Sequence, residues 1–467
     1  MKLWKQSGGK ELTKMCRPDR EPSAGPGTGE QECPELLVLT QKAQQEPKCR
    51  FTSLMHLLDK EFLGESFHAL KKRKAPGVDG VSVKEYGSQL RDNLEDLVER
   101  MKALKYRPQP VKRVEISKTS GGIRPLGLPA VEDKVVQMGM KRVLESIYEV
   151  DFLECSYGFR PGRSCHDALG AIQTTIYKNP VNVVIDADIK GFFDEVDHEW
   201  MMKFLDHRIA DSRLLRYVKR FLKAGVMKEG RRCSSEAGTP QGGILSPLLA
   251  NVYLHYVLDL WFEKIVKKHL RGYGKLVRYA DDFVILLERD DDAHRVYSAL
   301  EKRLDKFGLE LSQSKSQMIS FGRKEWNRCQ REGDKMATFD FLGLTHFGKR
   351  GRRGRFQLGR KTARSRMSRA IKRMSIWLKK AVYPNTPQQV VKRMNRKLVG
   401  HYRYFGVGGN FKSLQKLWYG AQRLLFKEIN RRSQKRSYNW EQFNRFLKYN
   451  PLAKPKIYHT YAQLAAR

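Results

Sequence analysis

Hydrophobic positions along this chain keep no single period, and the places where the period changes divide it into elements. Residues 1–50 are rich in Pro, Gly, Glu and Gln, which predicts an N-terminal extension that is partly disordered. From Phe51 to about Lys178 the pattern is helical, broken by Gly/Pro loops at "KAPGVDG" (74–80) and "KTSGGIRPLGLPAVEDKVVQ" (118–137). "NPVNVVIDADI" (179–189) reads as a buried strand, a short β-branched run after Pro, and "HEWMMKFLDHRI" (198–209) has helical spacing. "GTPQGGILSPLLANVYL" (238–254) is a Gly/Pro turn feeding an apolar helix that continues through Trp261. "KLVRYADDFVILLE" (275–288) is strand, turn, strand, with Ala280 and Asp281 near the turn. "DAHRVYSALEKRLDKFG" (292–308) is an amphipathic helix stopped by Gly308.

After a polar insertion (322–338), "FDFLGLTHF" (339–347) and "RFQLG" (355–359) flank a Gly/Arg-rich loop and predict a second hairpin. Met367, Ala370, Ile371, Met374, Leu378 and Ala381 then recur at three- and four-residue steps, with Arg and Lys on the other faces, until Pro384 ends the helix. "FGVGGN" (405–410) separates further helical segments, and no fixed-period repeat is present. This order predicts an α+β fold, with helices on one face of a sheet and a separate basic helical domain after it.

A chain of 467 residues with 40% hydrophobic content can bury a sizeable core and fits two or three domains. Its formal charge of +39 calls for a polyanionic partner. No apolar run approaches the roughly 20 residues that span a bilayer, and "MKLWKQSGGKELTK" lacks the apolar stretch of a signal peptide, so a soluble, intracellular protein is expected. The seven cysteines (16, 33, 49, 155, 165, 233 and 329) are odd in number and lack C-x-x-C spacing, which argues against a disulfide framework and a zinc site. The charge is uneven: from Gly351 onward thirty Lys and Arg stand against only Glu428 and Glu441. Helical apolar spacing persists there, so a nucleic-acid-binding domain is expected.

Two adjacent carboxylates at a hairpin turn, Asp281 and Asp282, repel each other unless a cation sits over them. Mg²⁺ prefers oxygen ligands and is commonly held by one or two carboxylates plus substrate phosphates. Two such ions, about 3.5–4 Å apart, stabilise both the attacking and the leaving oxygen of a phosphoryl displacement. A third carboxylate is then expected from a neighbouring strand, and Asp188, ending the apolar run "VVIDAD", supplies it if the strands are adjacent. Y-x-D-D alone is a weak pattern; the combination, each at a strand end, is much stronger. No residue stands out as a general base, and none of the eleven His has metal-ligand spacing, as suits phosphoryl transfer driven by positioning and electrostatics.

From Phe51 to the C-terminus the sequence resembles the group II intron-encoded reverse transcriptases. "KAPGVDG", "GGIRPLGLPAVEDKVVQ", "SYGFRPGRSCHDAL" (156–169), "DADIKGFFDEVDH", "GTPQGGILSPLLANVYL", "YADD", "GLELSQSKS" (308–316) and "FDFLGL" match that family's motifs in order, and "NRKLVGHYRYF" (395–405) resembles its maturase segment more loosely. The resemblance implies a right-hand polymerase: an extension over 1–50, fingers over 51–180, a palm with an antiparallel sheet backed by helices over 181–350, and an α-helical thumb/maturase domain over 351–467. It implies that Asp188 and Asp281 bridge two Mg²⁺ ions (Mn²⁺ as a substitute) with Asp282 beside them, and that Phe193 packs where a ribose 2′-OH would sit. Lys118 and Arg124 would clamp the incoming triphosphate, Gln241 would meet nucleotide or template, and Lys315 would lie near the leaving pyrophosphate. Arg160 and Arg163, among Tyr157 and Phe159, would touch the template strand, and Arg364, Arg366, Lys372 and Arg373 would bind nucleic acid from the basic helix. Asp186, Asp194 and Asp197 read as structural or helix-start residues.

The expected activity is RNA-directed DNA synthesis, with structured intron RNA, an RNA template with a DNA primer, dNTPs and target DNA as partners. The expected setting is the cytoplasm of a bacterium, in a ribonucleoprotein or at the nucleoid, without membrane. Three other readings stand beside it: a splicing factor without polymerase activity, a host-recruited enzyme of DNA repair or phage defence, and an RNA-directed RNA polymerase. Intact aspartates disfavour the first, and Phe193 with "YADD" disfavours the last. The Cys-pair endonuclease module common in the family is not expected.

Overall fold

The run "VVIDAD" and the run "DFVILL" lie side by side at the centre of the molecule, and everything else is arranged around them. The computed structural model describes residues 33–71, 74–117, 123–228, 231–233, 238, 242–351, 354–432 and 438–466. Helices α1 (Pro34–Gln45), α2 (Lys60–His68), α3 (Val83–Ser88) and α4 (Leu90–Lys102) lead to strands β1 (Val111–Ser117) and β2 (Ile123–Leu128), then α5 (Val131–Asp151) and α6 (Cys165–Lys178). Next come β3 (Val183–Asp188), α7 (Phe192–Glu195), α8 (His198–Asp206), α9 (Ser212–Leu222), β4 (Val226–Lys228) and β5 (Arg231–Cys233). Helix α10 (Ser246–Leu254) runs on through two π-helical turns, His255–Asp259 and Phe262–Val266, into α11 (Lys267–His269). Strands β6 (Gly274–Tyr279) and β7 (Asp282–Leu287), helix α12 (Asp290–Asp305) and β8 (Gln317–Ser320) complete the centre. Helix α13 (Arg323–Glu332) precedes β9 (Phe339–Phe341), β10 (Leu344–Arg350) and β11 (Phe356–Thr362). The chain finishes with α14 (Arg364–Ala381), α15 (Pro387–Phe405), α16 (Phe411–Asn430), α17 (Trp440–Tyr449) and α18 (Tyr461–Ala465).

The central sheet is antiparallel in the order β6-β7-β3-β8. Side chains alternate across it. Val183, Ile185, Ala187, Phe283, Ile285 and Leu287 enter one core with α10 and α12, whereas Val184, Val277, Val284 and Leu286 enter a second core with α6. Helices therefore cover both faces, not the single face that the sequence suggested. Uninterrupted apolar runs, as opposed to alternating ones, are what a sheet buried on both sides requires. Because both faces are apolar, the polar ends fix the register. A one-residue slip of β3 would turn Asp186 into the core with α10 and α12, where an unpaired carboxylate costs several kcal/mol.

Other departures from the sequence expectations have equally local causes. Residues 111–117, expected in a helical stretch, and 123–128, expected within a Gly/Pro loop at 118–137, are the antiparallel strands β1 and β2, with β1 joined in parallel to β4. Much of β1 is exposed, so its apolar residues gave no buried-strand signal. The polar insertion contains α13, whose Trp326 and Cys329, three residues apart, bury one narrow stripe. Within the first 50 residues α1 is ordered against α5, where Thr40 Oγ1 donates to the carbonyl of Ser146 at 3.1 Å; residues 1–32 lie outside the described ones.

The C-terminal basic region is not separate from the sheet domain. Its first strand, β11, pairs with β10 across the expected boundary at 350. From β11, the fully buried Arg360 reaches α6, donating to Gln173 Oε1 and the Leu169 carbonyl, both at 2.9 Å. After the bundle α14–α17, with its own core around Leu378, Leu398 and Leu425, the chain returns to α6 a second time. Gln173 Nε2 donates to the Tyr461 carbonyl at 2.7 Å, and a Cβ on Gly170 would stand 2.3 Å from the Leu464 carbonyl. Among the described residues no helix is long and apolar enough to cross a membrane.

Candidate active site

The register of β3 and β7 sets Asp188 opposite Asp282. Residues opposite each other in an antiparallel pair share a face, so both carboxylates emerge on the same side at the same sheet end. Asp281 precedes Asp282 in the turn after β6, and Ala280 before it has φ +58°, the left-handed region that non-glycine residues enter at a cost. Asp186 lies two residues back along β3 and accepts from Gln317 Nε2 at 3.3 Å; burial pushes its carboxyl up to about 7.

A cavity of about 630 Å³ opens over this turn. Asp281, Asp282 and Phe193 line it together with Leu126, Gly242 and Gly243; Leu342 and Gly343 bound it too, and Arg366, Arg369 and Arg373 of α14 stand in its wall beside His401 and Tyr404. Gly242 has φ +113°, and a Cβ there would meet the Gly127 carbonyl at 2.4 Å, so only glycine lets this loop approach β2. Phe193 follows a left-handed Gly191 (φ +56°), which turns the chain so that Phe192 is buried while Phe193 borders the cavity.

Several expected site residues take other positions. Lys315 Nζ pairs with Asp188 Oδ2 at 2.5 Å, so the lysine expected near a leaving group sits on the third carboxylate itself. Arg160, expected on a template strand, is buried and turned inward: it pairs with Glu149 at 2.9 Å and donates to the carbonyls of Leu153 and Ser156. Its neighbour Phe159, at φ +58° and half exposed, is the residue of that motif that borders the cavity. Arg163 donates to the Glu154 carbonyl at 3.1 Å and lies over the Tyr157 ring. Arg364, Arg366, Lys372 and Arg373 are all exposed, but only Arg366 and Arg373 border the cavity. Arg124 lies in β2 with Ile116 as its strand partner; Lys118 and Gln241 lie outside the described residues.

Arg369 was missed, although it lies three residues after Arg366 and four before Arg373, the spacing of one helix face. Its Nε is buried without a hydrogen-bond partner among the described residues, and burial, then its two arginine neighbours, lowers its pKa. His401, also missed, is held neutral by burial, which lowers its pKa to about 4, with its ring against Phe405 at 4.5 Å.

The carboxylates suit a hard cation in their chemistry. Asp282 is exposed as a residue and borders the cavity, yet its carboxyl is desolvated. That desolvation, then the charges of Asp281 and Asp188 and a hydrogen bond with Asp188, push it up to about 7. Like charges this close share a proton or hold a cation. Among the described residues no group of three His, Cys, Asp or Glu is already gathered to hold a metal ion; Asp188 and Asp282 face each other across the strands with Asp281 next to them, and carboxylates are the donor type that Mg²⁺ prefers.

Acidic ends of paired central strands beneath an arginine-lined helix define a nucleic-acid polymerase of the palm type. Residues 116–346 match the reverse transcriptase (RNA-dependent DNA polymerase) family. The chain is 33% identical to protein YkfC of Escherichia coli over 53% of its length and 73% of that protein's. It is 36% identical to the group II intron-encoded protein LtrA of Lactococcus lactis over 48% of its length and 38% of LtrA's, and 39% identical to a putative COX1/OXI3 intron 2 protein of Saccharomyces cerevisiae over 33% and 18%. The chain belongs to the reverse transcriptase family. Use of divalent metal ions is general in that family.

Proposed function

We propose that the protein is an RNA-directed DNA polymerase encoded by a group II intron, which binds structured intron RNA to assist splicing and copies RNA into DNA from a primed 3′ end. The observation that carries this reading is the pairing of Asp188 with Asp282 across β3 and β7, with Asp281 in the adjoining turn, under a cleft walled by three arginines. Asp188, Asp281 and Asp282 would hold two Mg²⁺ ions, Mn²⁺ substituting. The ions' chemistry is to stabilise the developing charge of phosphoryl transfer.

The chain's own residues set what reacts. Phe193 fills the space beside the sugar and excludes a 2′-hydroxyl; Arg366, Arg369 and Arg373 face the backbone phosphates of the bound duplex, Arg as a planar fork. Lys118, Arg124 and Gln241 contact the incoming nucleotide, and Lys315 exchanges Asp188 for a phosphate oxygen. The fingers then run over 51–180, the palm over 181–350 and the thumb with its maturase surface over 351–467. Target DNA and a cytoplasmic ribonucleoprotein complete the reading. The test is primer extension on an RNA template with purified protein, comparing dNTPs with NTPs, with and without Mg²⁺. Metal-dependent extension by dNTPs is expected; extension by NTPs alone, or none, overturns the reading.

A further inference from the structure

Two residues before Asp281's left-handed neighbour, the guanidinium of Arg278 is fully buried against an equally buried Asp259. Arginine carries five N–H donors, and here each has an acceptor. Nε and Nη2 donate to the two oxygens of Asp259 at 2.7 and 2.5 Å, and Nη2 also to Ser156 Oγ at 2.8 Å. Nη1 donates to Asn251 Oδ1 and to the Ala280 carbonyl, both at 3.1 Å. A buried ion pair gains little stability over a hydrophobic replacement, because desolvation offsets its attraction. Its value here is geometric. The Ala280 carbonyl belongs to the rigid peptide plane that leads into Asp281, so fixing that oxygen fixes the strained Ala280 and the direction in which the two aspartates leave the turn.

Two further details serve the same clamp. An α-helix turns about 100° per residue, so Asp259, eight residues after Asn251, would stand about 80° around a regular helix from it. The wider π-helical turn at His255–Asp259 removes part of that offset, and both side chains reach one guanidinium. Asn251 also donates from Nδ2 to the Gly158 carbonyl at 2.7 Å, and a Cβ on Gly158 would stand 2.4 Å from the Ala280 nitrogen. The turn is thus held from above by the loop at 156–158 and from below by Arg278.

We propose that Arg278, oriented by Asp259 and Asn251, is a positioning residue that fixes the left-handed turn and so aims Asp281 and Asp282; this rests on the polymerase reading above. Arg278→Lys keeps the charge opposite Asp259 but loses the fork. The experiment compares the whole wild-type protein with Arg278→Lys and Asn251→Ala in primer extension, in Mn²⁺ binding by EPR without nucleic acid, and in thermal melting. Arg278→Lys is expected to lose about tenfold or more in kcat, with the KM for dNTP within about twofold, and to bind Mn²⁺ several-fold more weakly per folded molecule. Asn251→Ala is expected to move both readouts the same way by about threefold. Wild-type kcat and Mn²⁺ affinity in a folded Arg278→Lys, or an activity loss that only tracks the folded fraction, would overturn the proposal. Should Arg278→Lys not fold, Asn251→Ala decides by the same two readouts. A wild type that extends no primer sinks the polymerase reading instead, and the Mn²⁺ comparison still judges Arg278.

Discussion

Asp281 and Asp282 stand side by side, yet different surroundings separate their roles: one opens from a strained turn, the other is pressed against Asp188. If these carboxylates hold the reacting metals, Asp281→Asn should lower primer extension by roughly three orders of magnitude while RNA affinity, measured by filter binding, stays within about twofold. Loss of RNA affinity in that variant would mean the cleft and the RNA-binding surface are one. Phe193→Ala should raise incorporation of ribonucleotides relative to deoxyribonucleotides by about tenfold or more, read from paired single-nucleotide insertion rates; an unchanged ratio would make Phe193 an ordinary wall residue. At this scale the acidic residues were legible, since charged side chains ending apolar runs are conspicuous. Arg160 was misread because its sequence neighbours look like a binding loop, whereas its fate depends on Glu149, eleven residues earlier on α5. Arg278 offered a signal that went unused: an arginine inside an apolar strand needs a buried partner, and Asp259 is nineteen residues away.

Among the elements, α5 packs against α1, α2 and α10, and Asp133 near its start is the telling residue. It accepts from Tyr106 Oη at 2.5 Å and from the Gln109 backbone at 3.0 Å. Burial outweighs both bonds and pushes its carboxyl up to about 7. An unfolded aspartate titrates near 4, so between those values the folded protein keeps a proton that the unfolded chain releases. The stability this confers is full below the lower value and is lost as pH rises through the upper one. Asp186 and Asp282 have the same sign. Buried His401, His255 and His346, all lowered, have the opposite sign, so the test is a comparison: from pH 5 to pH 8 the melting temperature in EDTA should shift in favour of Asp133→Asn relative to the wild type; equal slopes would show that Asp133 does not titrate there. Elements with one strong period were legible, among them α12, α14 and the β6–β7 hairpin. Of those missed, β1 and α13 expose most of their residues, so the hydrophobic pattern had little to act on, whereas β2 lies inside a Gly/Pro-rich stretch that reads as loop.

For the molecule as a whole, charge placement carries the prediction. Replacing Arg366, Arg369 and Arg373 together by Gln should weaken binding of a primed RNA template and reduce the slope of log affinity against log salt by about two to three. A slope equal to the wild type's would mean that these arginines touch no phosphate. The two attachments of the basic region to α6, through Arg360 at its beginning and through Gly170 and Gln173 near residues 461–464, have a mechanical consequence. A jaw fastened at both ends to one anchor cannot swing wide about a single hinge. It gives way only by flexing along its own length or by unlatching its last short helix. Displacing that region from the sheet domain therefore means breaking buried contacts at two separate places, so its position over the cleft is set by the fold and not by the bundle alone.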